Sequence, residues 1–162
     1  MKVLVLILTM ILLLTGCGAD AVFETVSDEM VLATTAHPRE VRFDLAQEPV
    51  MPAMETDAGQ LYLCGDFDVM LQTMESGDLN STVYQVSGFA PEELTLIQTG
   101  TGEVEKYEFV WSAATDEGQQ IGRCTILDDG YFHYALSATV DAGLIEEYQE
   151  IWNGIFESFE LA

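Results

Sequence analysis

Two histidines, three cysteines and a large surplus of carboxylates are the side chains in this sequence with chemistry to offer. Nucleophilic catalysis needs a nucleophile beside a base that a third group orients. His37 precedes Pro38 in a stretch that reads as loop. His133 alternates with Phe132 and Tyr134, so it faces the other side of its strand, where an exposed or edge position is expected. No G-x-S-x-G elbow is present, and neither Cys64 nor Cys124 has a histidine near it in sequence. Zinc would want Cys and His at short spacing, which is absent. Calcium is the more natural metal for an acidic surface, and Asp66-x-Asp68 and Asp128-Asp129-Gly130 come nearest to holding it. Both fall short of an EF-hand loop, and paired acids are common turn residues. Phosphate-cradling glycine loops and dinucleotide fingerprints are missing. The expectation is no catalytic centre, no metal and no cofactor.

Cys17 stands apart from the other cysteines. Lys2 precedes an uncharged apolar run from Val3 to Leu14. That run is shorter than the roughly 20 residues a membrane-crossing helix needs, and its length suits the apolar core of a secretory signal. It ends in Leu14-Thr15-Gly16-Cys17, which resembles the lipobox of bacterial lipoproteins. The resemblance implies that residues 1–16 are removed as a signal peptide and that the Cys17 thiol takes up diacylglycerol. Each buried CH₂ contributes roughly 0.8 kcal/mol, and two acyl chains give a stable anchor where one gives a marginal one. The expected arrangement is a lipidated cysteine and acidic tether over residues 17–38, then a single domain over 39–162, on the extracytoplasmic face of the cell membrane. Gly18 and Ala19 do not decide between inner and outer membrane.

All 28 Asp and Glu lie beyond Cys17, and only Arg39, Arg42, Lys106 and Arg123 oppose them there. Such a field repels nucleic acid and anionic headgroups, which excludes nucleic-acid binding and favours cationic partners. Because the acids are scattered, most of them serve a solvated surface. Cys64 and Cys124 form an even pair in an exported chain. That permits a disulfide stapling distant strands, or equally two buried thiols acting as small apolar groups.

The elements that must position these groups are legible from periodicity. Val41, Phe43 and Leu45 alternate with polar residues as a strand, and residues 48–59, with Pro49 and Pro52, read as loop. Leu61 and Leu63, then Phe67, Val69 and Leu71, flank a Gly65-Asp66 turn as a hairpin. Asp78 is placed to cap a short helix with Leu79, Val83 and Val86 on one face, closed at Gly88. A strand is expected at 94–97. Tyr107-Phe109-Trp111, Ile121-Arg123-Thr125-Leu127 and Phe132-Tyr134-Leu136-Ala138 then form an antiparallel meander with turns at 115–118 and 128–130. A closing helix over about 141–156 carries a stripe of Leu144, Tyr148, Ile151 and Ile155, widened by Ile145, Trp152, Phe156 and Phe159. Tyr107, Phe109, Trp111, Tyr131, Phe132 and Tyr134 would suit a ligand groove, but their spacing opposite Trp152 and Phe156 reads as core.

This order predicts an α+β domain, an antiparallel sheet of about six strands flanked by helices. Ser87-Gly88-Phe89, the Tyr107–Trp111 strand, the Asp129-Gly130 turn with Tyr134, and Ile155-Phe156-Glu157-Ser158-Phe159 resemble the PsbP-like α/β/α sandwich of many small bacterial lipoproteins. That resemblance implies a non-catalytic binding or accessory module, while the anchor and the acidic charge point to an envelope protein or cationic ligand as partner. The rivals are an envelope hydrolase with a cryptic site near His133 and a structural subunit of an envelope complex.

Overall fold

Alternation of apolar and polar residues builds most of the molecule, because a two-residue period puts one side of each strand under a helix. The structure is a computed structural model and describes residues 36–45, 51–116 and 118–162. The expected signal peptide, Cys17 and the expected tether up to residue 35 lie outside the described residues. Strands β1 (Val41–Arg42), β2 (Met54–Thr56), β3 (Gly59–Leu63) and β4 (Phe67–Glu75) lead to helix α1 (Leu79–Ser87). Next come β5 (Ile97–Gly100) and the long β6 (Glu105–Thr115), β7 (Gly118–Asp128) and β8 (Phe132–Asp141). Helix α2 (Ile145–Glu157) and a short β9 (Glu160–Leu161) close the chain.

Seven strands form one antiparallel sheet in the order β2-β3-β4-β8-β7-β6-β5, so the fold is α+β with one strand more than the pattern suggested. The extra strand is β2, inside the stretch read as loop. Its three residues are all exposed, so no burial period marks it, and a two-residue turn pairs Thr56 with Gly59. The expected strand through Leu45 shrinks to Val41–Arg42 and leaves the main sheet to pair with β9. The strand expected at 94–97 begins only at Ile97, because Leu94 and Leu96 tuck against the core instead of joining a ladder.

The caps of α1 match their chemistry. The Asp78 carboxylate accepts from the Asn80 N–H, and Gly88, at φ 77°, donates its N–H to the Tyr84 carbonyl. Val83 is fully buried on the sheet, with Leu79 and Val86 beside it. Helix α2 covers the other face through Trp152, Ile155 and Phe156. Ile151, placed on the apolar stripe by spacing, lies at its margin and is exposed.

Two cores result. One lies under α2 and holds Phe67, Val69, Tyr134, Leu136, Val140, Trp152 and Phe156. The smaller lies under α1 and holds Val83, Phe109, Cys124, Ile126 and Ala135. Tyr107, Phe109 and Trp111 therefore pack under α1, not opposite Trp152 and Phe156 as expected, while Phe132 and Tyr134 pack under α2. Tyr131 is exposed. Gly122 matters here, because any side chain at that position would collide with the Trp111 indole lying across it.

Candidate functional site

The polar group expected at the surface is at the centre. His133 is fully buried, a correction to the exposed or edge reading. Its strand, β8, has a partner on each side and a helix on each face, so an alternating residue has no solvent side to point to. Thr82 of α1 places its Oγ1 2.7 Å from His133 Nδ1. Asp128 Oδ2 lies 3.2 Å from Nε2, and Ser76 donates to Asp128 Oδ1 at 3.3 Å. Acid, imidazole and hydroxyl thus stand within reach of one another, as the hydrolase reading requires. Yet Thr82 is itself buried, and none of the clefts described below borders the cluster. What the arrangement does is satisfy buried polar atoms while tying α1 to the sheet. Thr82 adjoins the inward-facing Val83, a hint in the sequence that a hydroxyl would meet whatever polar group lay beneath the helix. His37 is exposed before β1 and does not join this cluster.

Cys64 and Cys124 are free, buried thiols. Cys64 belongs to the core under α2 and Cys124 to the core under α1, so the sheet separates them and the disulfide is not formed. Burial pushes both thiols up, Cys124 strongly, so neither is an activated nucleophile.

The acidic turns are committed to their own backbone. Asp128 accepts from the Gly130 N–H at 2.8 Å, and Asp129 accepts from the N–H of Tyr131 and Phe132 and from the Tyr134 hydroxyl. Asp66 accepts from the Tyr148 hydroxyl at 2.8 Å. Among the described residues no group of three or more His, Cys, Asp or Glu is placed to hold a metal. Burial works against the Asp129 charge, but the two amides, the Tyr134 hydroxyl and the nearby Arg39 outweigh it and hold the carboxyl below its usual 3.8. A carboxylate with a lowered folded pKa stabilises the fold above its unfolded value and loses that contribution as pH falls through the folded one. Asp129→Asn is therefore expected to lower stability at neutral pH and to flatten the acid limb below about pH 4. Denaturant midpoints measured across the acid range check this, and a parallel acid limb would sink it.

Two exposed features stand out among the surface clefts. On the α1 side, the β2-β3-β4 half of the sheet lies beyond the cover of the helix. Met54, Leu61 and Met70 stand in one cross-strand row there, with Leu63 one step along. Met54 and Leu63 are 60% and 63% exposed, and a shallow cleft of about 100 Å³ opens between Met54, Leu61 and Met70. At the opposite edge, a cleft of about 360 Å³ is bordered by Phe89, Glu93, Leu94, Val110, Trp111 and Ile121. The residue pattern had offered Trp111 for a groove while reading it as core, and had singled out none of the Met54–Met70 row, because an exposed Leu or Met is unremarkable until the strand register lines several up.

No family model and no curated protein matches the sequence. Solved structures do match. Cyanobacterial PsbP (CyanoP) of Synechocystis sp. PCC 6803 superposes with a TM-score of 0.54 at 7% identity, over 80% of this chain and 96% of that one. LpqN of Mycobacterium tuberculosis, involved in cell envelope biogenesis, gives 0.48 at 15% identity over 79% and 87%. A Bacteroides thetaiotaomicron protein gives 0.46 at 11% identity over 70% of this chain, which spans only 42% of that protein's length. The likeness to CyanoP shows a PsbP-like fold, and at such identity it shows the fold alone. No helix among the described residues is long and apolar enough to cross a membrane.

Proposed function

We propose that this protein is a lipid-anchored, non-catalytic binding module, held outside the cytoplasmic membrane by diacylglycerol on Cys17. The observation that carries the binding role is the uncovered half-sheet of Met54, Leu61, Leu63 and Met70. A row of apolar side chains facing solvent marks a surface that a partner covers, and flexible Met side chains adapt to what they meet. Asp68, exposed and directly cross-strand from Leu63, shares the face of the row in a chain of formal charge −23, which favours a partner with a basic rim around an apolar centre. The lipobox residues Leu14 to Cys17 supply the anchor. The burial of His133, away from every cleft described above, argues against hydrolysis.

Affinity purification from detergent-solubilised membranes tests the role. The native protein is expected to recover one stoichiometric partner that a Met54→Glu, Met70→Glu double variant loses. Equal recovery by both would reject this face as the binding surface.

A further inference from the structure

β6 is eleven residues long, but its outer neighbour β5 accompanies only part of it. The β5–β6 ladder runs from Gly100 opposite Lys106 to Ile97 opposite Glu108 and stops there. From Val110 to Thr115, β6 has β7 on one side and, among the described residues, no strand on the other. An antiparallel strand directs alternate N–H and C=O groups to each side, so this stretch offers a row of donors and acceptors at strand spacing with no strand partner among the described residues. Val110 is 59% exposed on it.

The open edge also has a side pocket. The chain leaving α1 through Phe89 and the Pro91–Glu93 turn runs past this part of β6 and walls the cleft over Trp111. The indole forms an aromatic floor because Gly122 leaves room for it on β7. Backbone groups for pairing beside an apolar pocket are the two halves of strand-addition recognition, one giving affinity and the other side-chain selectivity.

Charge decides the occupant. Glu93 is exposed on the cleft wall, Glu92 is exposed next to it in the turn, and Asp116 is exposed at the far end of β6. A second copy of a chain at −23 would bring the same acids to the same edge, and like charges facing each other oppose pairing. We infer that the outer edge of β6 from Val110 to Thr115 binds an extended, basic segment of a partner protein as an added strand, with an apolar side chain seated over Trp111. This edge lies across the sheet from the Met54–Met70 row, and the inference does not depend on that row.

The probe is a short fluorescein-labelled peptide of alternating lysine and valine with one central phenylalanine, titrated into the full chain in detergent. Saturable binding is expected, weakened by salt. Val110→Lys puts a like charge at an already exposed edge position, where it leaves the fold intact, and should weaken binding about tenfold or more. Hydrogen exchange should show new protection in the 110–115 segment when peptide is added. Equal affinity for the Val110→Lys variant overturns the inference. So does protection appearing at β2 instead, or self-association of the chain through β6 in sedimentation. None of these outcomes alters the Met54/Met70 experiment, so the two readings fail separately.

Discussion

Phe156→Ala is expected to lower the free energy of unfolding by about 3–5 kcal/mol, the cost typical of removing a fully buried aromatic ring. Phe156 has no exposed surface and meets Trp152 edge-on, with ring centroids 6.4 Å apart. Arg123 lays its guanidinium 4.6 Å from the ring centroid while donating to Asn153 and approaching Glu108. The alanine variant would lose the ring's burial, leave a cavity between α2 and β7, and strip one of the few basic side chains of its apolar support. Domains of this size hold only about 5–15 kcal/mol in all, so the loss brings the fold near its limit. Phe156→Leu keeps most of the volume and should cost less than about 1.5 kcal/mol. Denaturant titration of the purified proteins checks both, and an alanine variant within about 1 kcal/mol of the native protein would show that α2 is not what closes this core.

That helix was legible in the sequence because a 3.6-residue apolar period sustained through its whole length fits neither a strand nor a loop. The α1 caps at Asp78 and Gly88 and the β6-β7-β8 meander were legible for similar local reasons. What escaped depended on neighbours distant in the chain. Met54–Thr56 becomes a strand because β3 pairs with it, with no burial pattern of its own. His133 is buried because β8 is inserted beside β4, a pairing of Phe67–Glu75 with Phe132–Val140 that no local pattern states. The sheet's central strand is the last of its long strands in sequence, so burial on both faces is a property of topology. The separation of Cys64 from Cys124 has the same origin.

Cys17→Ala should move the protein from the membrane to the soluble extracytoplasmic fraction. The change should be near complete, because the proposed anchor would rest on both chains of one diacylglycerol and the −24 charge borne by the side chains after Cys17 (4 − 28) repels anionic headgroups. Labelling with radioactive palmitate should vanish with it. A Cys17→Ala protein that still labels and still sediments with membranes would overturn the anchor and with it the proposed location. Of the candidate sites, this proposed one rests on residue types and spacing alone, since a lipobox is a pattern of extended chain that owes nothing to the fold. The binding surfaces are not readable in that way. They consist of ordinary residues made unusual only by what fails to cover them.

The small β1–β9 ribbon pairs Val41 with Leu161 and Arg42 with Glu160, and beyond it the Ala162 N–H donates to the Glu40 carbonyl at 2.8 Å. Arg39 reaches across to the Ala162 carbonyl as well. The two ends of the domain therefore meet, and the polypeptide runs as a nearly closed circuit. Joining Ala162 to Ala36 by a short linker and cutting at the exposed Thr115–Gly118 turn would give a circular permutant with the same sheet. Equally, a lipid grafted behind Ala162 would suspend the domain from the same corner as one attached ahead of Ala36. The point from which the domain can be tethered is thus the same at either end.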